Sequence, residues 1–101
     1  MTQMEGVARL FNVLSVPPRL ALLHALHERP LSVNELVAAC KLKQANVSKH
    51  LAVLHGQGLL KRQRNGISIR YEIGDPMVFA LCDLVCGKME RDAKRVREAC
   101  G

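Results

Sequence analysis

The chain has 101 residues, a formal charge of +6 and a sequence pI of about 9.6. Residues 1–101 read as one domain with a small core, which must be aliphatic because there is no Trp, one Tyr and two Phe. No apolar run approaches the roughly 20 residues that span a bilayer, the start lacks the layout of a secretion signal, and the charge favours a polyanionic partner, so a cytoplasmic protein with reduced thiols and no membrane partner is expected.

Thr2 and Glu5 have capping-box spacing, and Val7, Leu10, Phe11 and Leu14 recur at helical period behind them. Ser15, Pro17 and Pro18 mark a break and a restart, since proline is welcome in a first turn. Leu20, Leu22, Leu23 and Leu26 predict a second helix that ends before Pro30. Ser32 and Glu35 form another capping box, followed by the apolar face Val33, Leu36, Val37 and Cys40 of a third helix. Lys41 and Leu42 turn the chain into a fourth helix over residues 44–55, with Val47, Leu51 and Leu54 inward and Gly56 and Gly58 as its stop.

Two strands are predicted next, over residues 59–64 and 67–73, turned by Asn65-Gly66. Ile67, Ile69, Tyr71 and Ile73 alternate with Ser68, Arg70 and Glu72, which predicts one buried face. Gly74, Asp75 and Pro76 open a fifth helix over residues 77–98. Its apolar residues Val78, Phe79, Leu81, Cys82, Leu84, Val85, Cys86 and Met89 cover more than half its circumference. A surface helix needs only about 100° of apolar stripe, so this one has two surfaces to cover: its own core and a second copy of the chain. The fold class is mainly α with a small β-hairpin, a homodimeric winged helix-turn-helix.

The fourth helix presents Gln44, Ala45, Asn46, Ser48 and Lys49 opposite its buried stripe. The first turn of a recognition helix is the part that reaches base edges. Gln and Asn pair with adenine and Lys reaches guanine, while Ser can contact a phosphate or a base and Ala can meet a thymine methyl. Lys61, Arg62, Arg64 and Arg70 cluster around the hairpin, with Asn65 and Gly66 at its tip, as phosphate contacts that position without reading sequence. Charge protection of an edge strand is the alternative use of those cations.

Taken together, these segments resemble the ArsR/SmtB family of winged helix-turn-helix repressors. The resemblance rests on P-x-R-L at residues 17–20, S-V-x-E-L at 32–36, Q-A-N-V-S-K-H-L-x-x-L at 44–54, G-L-L at 58–60 and R-Y-x-I-x-D-P at 70–76. It implies a homodimer paired through the first and last helices, bound to an inverted-repeat operator in double-stranded DNA and released by an effector. The metal-sensing patterns of that family are incomplete here. Ser32 stands where some members have a thiolate, with Glu35 as the acidic neighbour. Asp75 matches one ligand of another pattern, but Met77, Lys88 and Arg91 occupy the remaining places.

Thiols remain as the candidate sensor. Cys82 and Cys86 are four apart on one helix face. Cys100 follows Cys82 by about five helical turns. No cofactor is required by this reading, but a soft metal or metalloid ion bound by the thiolates of Cys82 and Cys86 suits the chemistry, as does oxidation or persulfide formation. Free cysteine also packs as a small hydrophobe; that is the expectation for Cys40 and the alternative for the others. His24, His27 and His55 read as surface residues and His50 as packing or phosphate-contacting. A regulator without thiol sensing and a winged-helix protein-interaction module stay open as alternatives. No activated nucleophile or acid–base pair suggests an enzyme.

Overall fold

A computed structural model describes residues 2–100, with side chains over residues 2–99. The element order is α1 (Gln3–Leu14), α2 (Pro17–Leu26), β1 (Leu31–Ser32), α3 (Val33–Cys40), α4 (Gln44–Gly56), β2 (Leu60–Asn65), β3 (Ser68–Ile73) and α5 (Pro76–Cys100). Both expected capping boxes are formed. Thr2 Oγ1 accepts from the Glu5 amide at 3.2 Å and Ser32 Oγ from the Glu35 amide at 3.2 Å, and each glutamate reaches back to its cap's N–H. Asp75 caps α5 by accepting from the Met77 amide at 2.9 Å, and Pro76 takes the first helical position, where a missing N–H costs nothing.

The end of α4 differs from expectation by one step. Gly56 lies inside the helix, and Gly58 makes the stop at φ +76°. The Leu59 amide donates to the Leu54 carbonyl and the Gly58 amide to that of His55. This is a Schellman cap, sealed by Leu54 and Leu59, which are both buried.

The expected hairpin is part of a three-stranded antiparallel sheet with order β1-β3-β2. Leu31 pairs with Tyr71 and Ser32 with Arg70. A two-residue strand has no alternation to read, so this third strand left no periodic signal. The turn also moves by one residue. Asn65 pairs with Ser68, so Gly66 and Ile67 form the loop, with Gly66 at φ +68°. A glycine in the first loop position suits a two-residue turn that needs one left-handed residue. Ile67 therefore sits at the tip, fully exposed, and is not part of the buried face. Ile69, Tyr71 and Ile73 are half-buried, but so are Arg70 and Glu72 between them, so the expected single buried face is not seen: β1 and Glu35 cover Arg70, and Gln63 donates to Glu72 at 3.0 Å.

The core is aliphatic. Leu22 and Leu23 of α2, Leu36 of α3, and Val47, Leu51 and Leu54 of α4 are its most deeply buried side chains. Each fully buried side chain of this kind contributes about 1.5–3 kcal/mol. The radius of gyration is 15.6 Å and the longest extent 54 Å, against about 13 Å expected for a compact chain of this length. The 25-residue α5 accounts for the difference, since a helix that long reaches about 37 Å, and Val78 is its one buried apolar residue among those described. Among the described residues, no helix is long and apolar enough to cross a membrane.

Two glycines make opposite predictions. A Cβ on Gly74 would lie 2.9 Å from the Leu60 carbonyl carbon and 3.1 Å from the Lys61 nitrogen, whereas one on Gly56 meets nothing. Gly74→Ala is expected to destabilise by about 1–3 kcal/mol through overpacking against backbone. Gly56→Ala should stabilise by about 0.5–1 kcal/mol, by restricting the unfolded chain within a helix-compatible position. Urea unfolding of the two variants checks the pair; equal effects would contradict the helix end and wing base described here.

Candidate nucleic-acid interface

The exposed face of α4 follows from its buried one. Val47, Leu51 and Leu54 point into the core, which turns Gln44, Ala45, Asn46, Ser48 and Lys49 outward, and all five are exposed. Lys43 precedes the helix without a side-chain cap. The first amides of α4 thus keep their donors for an anion.

Across from this turn stands the wing. A cleft of about 270 Å³ separates the two, walled by Ser32, Val33, Asn34 and Gln44 on one side and by Ile67, Ser68 and Ile69 on the other. Asn34 carries no sequence signal, and Ile67 and Ser68 are expected from sequence only as strand positions, not as site residues. Asn34 lies on α3, which carries a buried residue of its own, and only its placement opposite the wing tip marks it.

The wing cations divide by strand face. Arg62 stands opposite Tyr71 and Arg64 opposite Ile69, while Gln63 stands opposite Arg70 and Lys61 opposite Glu72. Among the described residues, Lys61, Arg62 and Arg64 are exposed and form no ion pair. Arg70 is already engaged. It lies 3.2 Å from Glu35 Oε1 and donates to the Pro30 carbonyl at 3.5 Å. Glu35 also meets Arg29 at 3.3 Å. Hydrogen bonds from Ser32, first from its backbone and then from its side chain, hold the Glu35 carboxyl below its ordinary pKa, and the two arginines add to this. Arg70 thereby ties the wing to the start of α3. Asn65 and Gly66 lie at the exposed turn.

His50 is half-buried on α4 and joins it to α2. Arg19 Nε donates to His50 Nδ1 at 3.2 Å, and Arg19 Nη1 donates to the Val13 carbonyl at 3.1 Å. Burial lowers the His50 pKa below 6.5, helped by the nearby charges of Arg19 and Lys49. Neutral His50 is the acceptor that this contact requires. His27 is not a surface residue: it is half-buried, edge-on to Phe79 at 4.9 Å, with Nε2 3.4 Å from Asp83 Oδ1 but out of line for a hydrogen bond.

The thiols lie elsewhere. A cavity of about 440 Å³ between α1, α2 and α5 is lined by Phe11, Leu14, Leu20, Val85, Cys82 and Cys86, among others. Cys82 is half-buried and Cys86 exposed. Burial pushes the Cys82 thiol up, with further contributions from Cys86 and Asp83. Cys40 packs against α2, its thiol donating to the Ala21 carbonyl at 3.6 Å, and burial raises its pKa as well. The Cys100 side chain lies outside the described residues. No three His, Cys, Asp or Glu side chains are grouped to hold a metal ion among the described residues.

With this geometry in hand, comparison with known proteins is decisive. Residues 17–62 match the bacterial regulatory protein, arsR family. The transcriptional repressor PagR of Bacillus anthracis is 34% identical over 83 residues, which are 81% of this chain and 83% of PagR. This chain belongs to the ArsR family. A transcriptional repressor SmtB homolog of Synechocystis is 36% identical over 80% of the chain, but that match spans only 61% of the homolog's length. The crystal structure of Rv0081 from Mycobacterium tuberculosis superposes with a TM-score of 0.83 at 29% identity, covering 95% of this chain and 99% of that one. The winged helix-turn-helix domain of Mb0332 from Mycobacterium bovis, described as homodimeric, gives a TM-score of 0.82 at 25% identity, covering 91% and 85%. The fold is that of a winged helix-turn-helix. The family is one of transcriptional regulators, and this member is not an enzyme.

The Arg19–His50 contact has a pH signature. In the unfolded chain His50 takes a proton near 6.5, while in the folded protein it does so only at lower pH. The unfolded state therefore binds more protons in that window, so stability is full above pH 6.5, falls as pH drops through the folded pKa, and is flat below it. Imidazole NMR titration is expected to place His50 below 6.5, and Arg19→Ala should raise it. A folded-state value at or above 6.5 would contradict the contact.

Proposed function

We propose that the chain is a dimeric, cytoplasmic, sequence-specific DNA-binding repressor, forming a single domain over residues 1–101, that occupies an inverted-repeat operator and is released by a signal acting on the thiols of α5. The observation that carries the DNA-binding reading is the cleft. It sets the exposed first turn of α4 and the cationic wing side by side on one surface. Gln44, Asn46 and Lys49 reach base edges in the major groove, Ala45 and Ser48 complete that surface, and Arg62, Arg64 and Asn65 meet the backbone. Arg70 serves by holding the wing in place as well as by its charge.

Pairing of two copies is supported by the apolar residues left open on α1 and α5. Phe11, Leu84, Val85 and Met89 are each more than half exposed, a pattern that marks an interaction surface. Cys82 and Cys86 line the cavity beside that surface, so a ligand on sulfur there alters the seam. Coupling of about 1–3 kcal/mol between such a site and operator affinity is ordinary. A soft ion on these two sulfurs takes further donors from the second copy or remains two-coordinate; Cys100, if it joins the stripe, is a third sulfur. The raised pKa of Cys82 favours the competing reading, in which the thiols only pack.

Operator binding measured against salt separates these ideas. Wild-type affinity is expected to fall with a log–log slope of roughly −5 to −8, from about four free cations per copy. Asn46→Ala should cost about 1–3 kcal/mol per half-site and relax sequence preference there, whereas Arg64→Gln should weaken all sequences alike. Cys82→Ser with Cys86→Ser should leave operator affinity intact and abolish release by arsenite, cadmium, copper(I), peroxide or polysulfide. Release that persists in the double variant overturns the thiol assignment and leaves the DNA reading standing.

A further inference from the structure

The tip of the wing carries a side chain for which the fold has no use. Ile67 has a relative exposure of 105%. Loop tips of this kind ordinarily carry Gly, Asn, Asp or Ser, whose polar groups or freedom serve the turn. The other large exposed apolar side chains all lie on α1, α2 and α5, the helices around the proposed seam. Ile67 shares no element with them and is surrounded in sequence by Arg64, Asn65, Gly66 and Ser68.

The cleft decides where this side chain goes when DNA is bound. Gln44 and Asn34 line one wall, and Ile67 and Ser68 the other. If Gln44 enters the major groove, the next feature along the duplex is the sugar–phosphate ridge, and beyond the ridge lies the minor groove. The cleft receives the ridge between Asn34 and Ser68, both of which can donate to phosphate. The wing tip then comes down on the far side.

We infer that Ile67 enters the minor groove flanking each half-site as an apolar wedge, and that it makes the protein prefer A·T pairs at that position. The inference rests on the DNA-binding reading above. An A·T pair leaves the minor-groove floor free of the guanine amino group, so an aliphatic side chain can lie against sugars and base edges there. Isoleucine is among the side chains that minor-groove proteins insert in this way. A narrow A·T groove also has the stronger negative potential, which the neighbouring Arg62 and Arg64 complement. The wing thus reads composition through Ile67 while its arginines hold the backbone.

The test uses the full chain and a duplex selected by the wild-type protein from a random-sequence pool. Flanking adenines are replaced by 2,6-diaminopurine, which adds a minor-groove amino group and leaves the major-groove edge unchanged. Wild type is expected to bind the modified duplex about tenfold more weakly, and Ile67→Ser to bind the unmodified duplex about tenfold more weakly, as suits loss of one buried aliphatic contact. Ile67→Ser should be indifferent to diaminopurine, keep the wild-type salt slope because no charge is removed, and keep the wild-type melting temperature. Equal wild-type affinity for both duplexes, or unchanged affinity in Ile67→Ser, overturns the inference and leaves the wing on phosphates alone. A change in sedimentation of the free Ile67→Ser protein, without a change in DNA affinity, also overturns it by assigning the side chain to contact between copies. Failure of the wild type to select any duplex removes the DNA reading itself, so the two failures are told apart.

Discussion

Burial of one stripe of α4 is the constraint from which the remaining surface follows. Val47, Leu51 and Leu54 are fully enclosed, and a helix with three such anchors on one face cannot rotate about its axis without exposing them. The opposite face is fixed by the same packing. The backbone carrying Gln44, Asn46 and Lys49 is therefore held in one orientation, while their exposed side chains keep rotamer freedom. Arg19 reinforces the arrangement from the side by joining the end of α1 to His50, and the Schellman cap at Gly58 turns the chain directly into the wing.

The wing is held by a separate device. Ser32 belongs to β1, caps α3 and pairs with Arg70 of β3, while Glu35 takes both Arg29 and Arg70. One short segment thus joins the helix pair to the sheet. Arg62 and Arg64 are left uncommitted on the opposite face of the strands. The long α5 leaves the wing at Gly74, whose packing against Leu60 and Lys61 admits no side chain. Movement of α5 at a seam between copies is thereby carried to the base of the wing. Under the proposed function, this is the route by which a ligand on Cys82 and Cys86 would act on the wing.

Much of this was legible in the residues, and for stated reasons. Capping boxes at Thr2 and Ser32 are local, and both formed. The stripe of α4 has helical period, so its exposed complement could be named residue by residue. What escaped notice depends on tertiary pairing. β1 is two residues long and has no periodicity; it exists because β3 lies beside it. The loop shifted to Gly66 and Ile67 because register is settled by cross-strand pairs, and an Asn-Gly signal is compatible with either position. Asn34 and Ile67 carry no motif and became candidates only when the cleft brought them face to face. Arg70 looked like one more wing cation, but its partner Glu35 lies 35 positions away in sequence.

The central claim is that two copies join along α1 and α5 and so set a pair of α4 helices one turn of duplex apart. Pulsed EPR between spin labels carried on a non-natural residue at Ala52, on α4 outside the proposed DNA contacts, measures this directly in the DNA-bound state. The account predicts a single dominant separation near the duplex repeat of about 34 Å. A monomeric chain at micromolar concentration, or labels so close that the two α4 helices must face each other within the seam, would contradict it.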